Sequence, residues 1–180
     1  MNLPEPTFNG TGFIKVYLNP VTRLHIFSPN FPPTVRNSRI HDHMFKFTSQ
    51  VLIGEMEHTE WLFDPVPNGT HKQFKCYCGT DKREDPPSSI RYRGNIEVFR
   101  KHTYKAGDHY TFGGPGKYHE IACSELAVSV VTRTLEYTSY RPKLLVPYGE
   151  EPDHAFDPKD KPSVDEMRKE VTRVMMLLTK

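Results

Sequence analysis

The stretch that decides the fold lies between residues 39 and 54 and reads Arg39-Ile40-His41-Asp42-His43-Met44-Phe45-Lys46-Phe47-Thr48-Ser49-Gln50-Val51-Leu52-Ile53-Gly54. Side chains two residues apart on a β-strand point to the same face. From position 41, the odd positions carry two histidines, two phenylalanines, a serine and two branched apolar residues, whereas the even positions are mostly polar or charged. The pattern predicts a strand whose odd face, with His41 and His43, points toward the interior.

Two imidazoles side by side in a protein interior need polar partners. A shared metal ion would supply such a partner for both His41 and His43. The other interpretation is a solvated or hydrogen-bonded pair at the end of a strand. The His-x-His spacing alone leaves both interpretations open.

Further strand-like runs flank this stretch on both sides. Besides residues 39–53, the sequence predicts strands at 12–18, 22–28, 55–63, 71–78, 89–93, 96–104, 109–112 and 119–136, the last with a break near Ser124-Glu125. Clusters of proline and glycine separate these runs, and no helical pattern precedes residue 140. We therefore expect an all-β sandwich or barrel, with residues 64–95 as a protruding excursion.

The chain changes character after residue 140. Five prolines between residues 141 and 162 predict an extended, wrapping segment, and Ser163 to Glu166 fits a helix-capping box. Helical spacing relates the apolar residues that follow, Val164, Met167, Val171, Val174, Met175 and Leu178. The predicted organisation is thus a barrel over 1–140, an extended segment over 141–162 and an amphipathic helix over 163–180. The apolar stripe of that helix packs on its own sheet or seals a homodimer.

Composition narrows the classes of partner. The chain has 24 basic and 22 acidic residues, a net charge of +2 and no concentrated basic face, so we expect no nucleic-acid binding. No apolar run approaches the roughly 18 residues of a membrane span, so we expect no membrane contact. The first residues show neither the basic nor the apolar region of a signal peptide, so we expect a cytoplasmic protein. The partner that remains is a small-molecule substrate or ligand.

The three cysteines do not indicate a disulfide framework. Cys76, Cys78 and Cys123 are an odd number at uninformative spacings. Cys76 and Cys78 would offer two ligands on one strand face, with His71 five residues before them. Structural zinc uses four ligands and a turn-like cysteine spacing, so we expect no zinc there, and the role of Cys76 and Cys78 stays open.

A second informative segment contains a glycine turn, a short aromatic strand, a Gly-Pro-Gly turn and a histidine. It reads Tyr104-Lys105-Ala106-Gly107-Asp108-His109-Tyr110-Thr111-Phe112-Gly113-Gly114-Pro115-Gly116-Lys117-Tyr118-His119-Glu120-Ile121. Together the two segments resemble the cupin family, whose motifs are G-x5-H-x-H-x3,4-E-x6-G and G-x5-P-x-G-x2-H-x3-N. The resemblance covers roughly residues 36–136. It implies an all-β cupin barrel, or jelly roll, here followed by the C-terminal helix.

Three positions depart from the cupin motifs. Phe47 stands where the family has its glutamate ligand, Val35 replaces the first glycine, and Cys123 replaces the final asparagine. The remaining ligand set consists of His41, His43 and His119. This set resembles that of the thiol dioxygenases, such as cysteine dioxygenase, which hold ferrous iron with three histidines. The resemblance implies a divalent metal, Fe(II) in the first place, with open positions for a bidentate thiolate and dioxygen.

Candidate substrate-binding residues follow from the same comparison. Thiol dioxygenases carry a Ser-x-His-x-Tyr triad; Ser129 matches its serine, whereas Val131 and Arg133 stand in place of its histidine and tyrosine. Arg39, on the histidine face, and Arg133 are candidates to clamp a carboxylate or phosphate, with an ordinary salt-bridge role as the alternative. Phe47 is expected to wall the cavity.

The other histidines are interpreted as isolated. His58, His102 and His109 fit surface or hydrogen-bonded roles, with His109 close enough to the second motif to line the pocket mouth.

Three hypotheses of function result. The first is an iron-dependent dioxygenase of a small anionic molecule, for instance a thiol. The second is a non-catalytic cupin that binds a metal or ligand for a structural or regulatory purpose, and the third is a metal-free cupin whose histidines serve only packing.

Overall fold

The computed structural model describes residues 4–75, 92–137, 139–153 and 162–179. Over these ranges the chain forms twelve strands and one helix. The strands are β1 (Thr7–Asn9), β2 (Phe13–Tyr17), β3 (Thr22–Phe27), β4 (Ile40–His41), β5 (Phe45–Ile53), β6 (Glu55–Pro65), β7 (His71–Lys75), β8 (Arg93–Lys105), β9 (His109–Gly113), β10 (Tyr118–Ala122), β11 (Ala127–Glu136) and β12 (Lys143–Pro147). The helix, α1, is Val164–Leu178.

The strands form two antiparallel groups. A six-stranded sheet has the order β1-β2-β3-β11-β5-β9, and a closed barrel has the order β10-β4-β12-β7-β8-β6. The inner face of the six-stranded sheet packs against β6 and β10 of the barrel, as in the cluster of Phe27, Val51 and Met56. This architecture confirms the predicted all-β barrel with a C-terminal helix.

The alternation predicted for residues 45–53 is confirmed. Phe47, Ser49 and Val51 are buried, whereas Lys46 and Gln50 are exposed. The odd residues of β5 therefore belong to the inner face, the side on which His43 also lies.

The helix begins where the sequence places it. Ser163 accepts a hydrogen bond from the Glu166 amide, and the Glu166 carboxylate accepts one from the Ser163 amide at 2.9 Å, which completes the capping box. Met167, Val171 and Val174 are buried with Ile14 and other residues on the outer face of the six-stranded sheet. The apolar stripe thus packs on its own sheet, and a homodimer stays a prediction.

Several strands differ from expectation, among them β1, which was not predicted. Residues 39–53 form two strands, β4 and β5, and the residues between them include the buried Asp42. The segment 141–162, expected to wrap around the barrel, contributes β12 to it, paired with β4 and β7. Cys76 and Cys78, with half of the expected excursion over 64–95 and most of the predicted strand 89–93, lie outside the described residues. Within the described ranges, no helix is long and apolar enough to cross a membrane.

Candidate metal centre

Three of the predicted site residues converge on the inner side of the barrel. His41 lies on β4, His43 two residues later, and His119 on β10, where it pairs directly with His41 across the ladder. The three ring centroids are 4.8 to 5.0 Å apart. One ring nitrogen from each histidine lies within 4.8 Å of the other two, so the cluster could hold a metal ion.

Asp42 explains how the two neighbouring histidines are held. Strand alternation turns its side chain away from both imidazoles, and the carboxylate is fully buried. Its Oδ2 accepts hydrogen bonds from the Gly116 amide at 2.8 Å and from the Tyr140 hydroxyl, and its Oδ1 accepts one from the Lys143 amide at 2.6 Å. One carboxylate thereby ties the His-Asp-His segment to the turn before β10 and to β12.

The Gly-Pro-Gly turn is part of this anchor. Gly116 has φ 75°, a left-handed conformation that favours glycine. In this conformation its amide reaches Asp42, three residues before His119. The second motif therefore fixes the third histidine relative to the first two.

Hydrogen bonds at Nδ1 leave the ε nitrogens of His41 and His119 free for a metal. His41 Nδ1 donates to the Arg39 carbonyl at 2.8 Å, which leaves its Nε2 with a free lone pair. His43 Nε2 and His119 Nε2 lie 2.9 Å apart. Two ligand atoms at right angles, each about 2.1 Å from one ion, are separated by about 3.0 Å. The spacing of these two nitrogens therefore matches that of neighbouring metal ligands.

The electrostatic environment keeps the three histidines neutral. Burial, reinforced by the charges of neighbouring histidines, lowers the pKa of His43 and His119 well below the usual value. Burial also lowers the pKa of His41, although the hydrogen bond to the Arg39 carbonyl opposes this shift. Neutral imidazole is the form that binds metals.

His58 is not isolated, as the sequence-based interpretation had it, although a hydrogen-bonded role was one of the two roles expected for it. It is 1% exposed on β6, and its Nε2 lies 2.9 Å from His119 Nδ1. A proton on His119 Nδ1 donated to His58 leaves His119 Nε2 free for a metal. Burial lowers the pKa of His58 to about 4, so it accepts that proton as neutral imidazole. The alternation of Met56 and His58 with charged residues in β6 was the available signal.

The other two histidines lie on the surface. His102 is exposed on β8, as expected. His109 is also exposed, and the inward positions of β9 are instead Tyr110 and Phe112. The expectation that His109 lines the pocket mouth was therefore wrong, because strand alternation directs it outward.

Phe47 lies beside the histidine cluster, at the position where the cupin motif has its carboxylate ligand. It is 4% exposed, with its ring centroid 5.3 Å from that of His43 and 6.1 Å from that of His119. Phe112 covers another side of His119 at 4.6 Å. The histidines consequently face an aromatic wall.

The remaining candidate substrate ligands have different surroundings. Arg39 is half-buried, with Nη2 3.4 Å from the Ile121 carbonyl and Nε 3.9 Å from Glu120. Arg133 donates to the Pro20 carbonyl and lies 3.8 Å from Glu136. Ser129 is fully buried, and its hydroxyl has no hydrogen-bond partner in the described part of the chain. Both arginines thus have protein partners, whereas the serine does not.

Comparisons with known proteins add little to this geometry. No protein-family model matches the sequence, and no curated protein matches it. Among solved structures, the chain is similar to Drosophila melanogaster CENP-C bound to CAL1, with 11% identity and a TM-score of 0.38 over 68% of this chain and 75% of that one. The Drosophila melanogaster CENP-C cupin domain gives the same identity and TM-score over 68% and 69% of the two chains. Similarity of this degree carries no argument about function, which must come from the site.

Proposed function

We propose that this chain is a mononuclear metal cupin in which His41, His43 and His119 hold a divalent metal, Fe(II) in the first place. We further propose that it is an oxygen-dependent dioxygenase of a small anionic molecule, with thiols as the first class to test. The observation that carries the proposal is the convergence within 4.8 Å of three neutral imidazoles, of which His119 is buried and His41 and His43 are half-buried.

The donor set fits such a metal. Imidazole nitrogens suit iron, zinc, copper and nickel, and the facing Nε2 atoms of His43 and His119 are spaced as neighbouring ligands. No carboxylate from the described residues joins the three histidines, since the nearby Asp42 is engaged by backbone amides and a tyrosine. A neutral ligand set leaves the full charge of the ion to attract an anionic substrate.

When bound, Fe(II) would bring an anionic substrate and dioxygen together in one coordination sphere. The protein's own residues provide the setting. Asp42 and His58 hold the imidazoles in place, and the rings of Phe47 and Phe112 exclude water from their inner side. Ser129 offers a buried hydroxyl as a hydrogen-bond donor.

The two arginines predicted to bind substrate would act only by exchanging partners. Arg39 would leave Glu120, and Arg133 would leave Glu136 and the Pro20 carbonyl. Half-exposed ion pairs of this kind contribute about 0–1 kcal/mol, so such an exchange is energetically accessible. Substrate binding by Arg39 and Arg133 therefore stays part of the proposal.

Oxygen consumption tests the catalytic part. Protein loaded with Fe(II) is mixed with a panel of small thiols, and oxygen uptake is recorded with His119→Ala and His102→Ala variants beside the wild type. We expect uptake with at least one thiol, its loss in His119→Ala, and no change in His102→Ala, because His102 is exposed on β8. Metal binding without uptake for any substrate would favour a non-catalytic metal-binding cupin. Absence of metal binding would leave a metal-free cupin.

A further inference from the structure

One edge of β8 has no strand partner over most of its length. On one side, β8 pairs with β6 from Gly94 to Lys105. On the other side, within the described residues, it pairs with β7 only at Arg93 and Gly94. Along residues 95–105 this second edge therefore presents backbone amide and carbonyl groups without a partner strand. A long free edge of this kind is a template for pairing with another chain.

Both faces of β8 are exposed beside this edge. A strand in an antiparallel sheet usually buries one face, but every residue from Glu97 to Thr103 is exposed. Among them, Val98 is 52% and Phe99 is 56% exposed, and Leu62 of β6, which pairs with Glu97, is 46% exposed. Large apolar side chains beside a free edge indicate a surface that another chain covers.

The lysines of β8 do not guard the edge. Proteins often protect free edges with unpaired charged side chains, lysine above all. In β8, however, Lys101 Nζ lies 2.9 Å from the carboxylate of Glu57, and Lys105 Nζ lies 3.8 Å from that of Glu55. Both acids belong to β6, so these lysines are compensated within the sheet and leave the edge open to a neighbour.

The order of charges along β8 suits a second copy of the same strand. Glu97 has no ion pair within the described residues. In an antiparallel pair about a twofold axis, residues equally far before and after the axis face each other. An axis at Phe99 places Glu97 opposite Lys101 of the other copy, and a shift of half a residue places it opposite Arg100 or His102. In-register parallel pairing would instead place each cation beside its own copy.

We propose that the free edge of β8 pairs antiparallel with β8 of a second copy of this chain. In this homodimer Phe99 lies at the twofold axis, and Glu97 of each copy faces Lys101 of the other. Backbone hydrogen bonds join the two sheets, and the exposed apolar side chains of β8 become covered. The helix α1 takes no part, because its apolar stripe is buried on its own sheet. The dimer does not require a metal and goes beyond the proposed function.

Sedimentation velocity of the full chain tests the dimer over protein concentrations from about 1 to about 100 μM, a range suited to a small interface. We expect the wild type to change from monomer to dimer as its concentration rises. Phe99→Ser should weaken this association because it removes the apolar side chain at the axis. Leu135→Ser is the matched control, since Leu135 is also exposed but lies on β11, and it should associate as the wild type does.

Charge exchange tests the register. Glu97→Lys places lysine opposite lysine at two symmetric positions and should raise the dissociation constant of the dimer at least about tenfold. Adding Lys101→Glu to this variant restores opposite charges across the interface and should restore the dimer. Recovery in the double variant would exclude misfolding as the cause of the loss.

Cysteine crosslinking locates the axis. Residues that face each other in an antiparallel pair have Cα atoms about 4.5–5.5 Å apart, within the span of a disulfide. Phe99→Cys should therefore form a disulfide between two copies on mild oxidation. Thr103→Cys should not, because eight residues of strand, about 26 Å, separate its two positions in the dimer. The wild type gives the background from the native cysteines.

Several outcomes would overturn the proposal. A wild type that stays monomeric at every concentration would do so, and protection of its residues 95–105 from hydrogen exchange would then assign the edge to another segment of the same chain. A dimer that survives Glu97→Lys and Phe99→Ser would show that the copies associate through another surface. Equal crosslinking of Phe99→Cys and Thr103→Cys would contradict the register. Metal content should match the wild type in all these variants, so such failures would leave the metal centre standing.

Discussion

Replacing Asp42 is expected to loosen the histidine cluster by an indirect route. Its carboxylate is fully buried and accepts three hydrogen bonds, from the amides of Gly116 and Lys143 and from the hydroxyl of Tyr140. Asp42→Asn keeps the size of the side chain but replaces one of the two carboxylate oxygens by an NH2 group, which cannot accept a hydrogen bond. Because Oδ1 receives one donor and Oδ2 two, at least one donor loses its acceptor in either orientation of the amide.

The magnitude follows from the number of donors. One unsatisfied buried donor costs about 1–3 kcal/mol, so Asp42→Asn should lower the free energy of unfolding by that amount. Asp42→Ala leaves all three donors without an acceptor and should cost about 3–5 kcal/mol. Burial raises the pKa of Asp42, which shows that the hydrogen bonds only partly offset the desolvation of the carboxylate and keeps the expected loss moderate.

Urea unfolding of the metal-free protein measures this loss, with the single tryptophan, Trp61, as the fluorescence probe. Tyr140→Phe is the matched control, because it removes one hydrogen-bond donor and leaves no buried donor without an acceptor. It should lower the free energy of unfolding by about 1–2 kcal/mol. The Asn variant should also bind metal more weakly, because His41 and His43 lose their anchor. An Asn variant as stable as the wild type would refute the assignment of Asp42 as that anchor.

Three further changes have defined outcomes. His58→Phe should weaken metal binding about 10- to 100-fold by removing the partner of a ligand, whereas His102→Phe should not; equal affinities measured by metal titration would exclude a supporting role for His58. Phe47→Glu should retain or tighten the metal but weaken binding of an anionic substrate, and unchanged substrate affinity would show that this position does not face the site. The hydrogen bonds from Arg173 hold the pKa of Glu170 below its ordinary value. The contribution of Glu170 to stability is therefore present above the unfolded-state pKa of about 4.3, and it is lost as the pH falls through the folded-state pKa. Glu170→Gln should therefore flatten the decline in stability on the acid side, and an identical pH profile in urea unfolding would contradict this.

Local pattern was sufficient for much of the fold. The two-residue period of β5 depends only on neighbouring side chains, and it placed Phe47 and Val51 on the inner face correctly. The capping box at Ser163 is likewise contained within four residues. Such features follow from the sequence because the interactions that create them are short-range.

Long-range pairing explains what was missed. The role of His58 depends on His119, which is 61 positions away, and becomes visible only when β6 pairs with β10. The strand β12 exists because its neighbours β4 and β7 lie beside it, and its proline-rich sequence indicates only an extended chain.

Metal stoichiometry tests the three-histidine centre most directly. Wild-type protein, His41→Ala, His119→Ala and the surface control His102→Ala are equilibrated with Fe(II) under anaerobic conditions and freed of unbound metal, and the metal per chain is then measured. The account predicts one ion per chain in the wild type and in His102→Ala, and loss of the metal in the other two variants, because two imidazoles hold a labile divalent ion poorly. Metal content equal to the wild type in both His41→Ala and His119→Ala would contradict it.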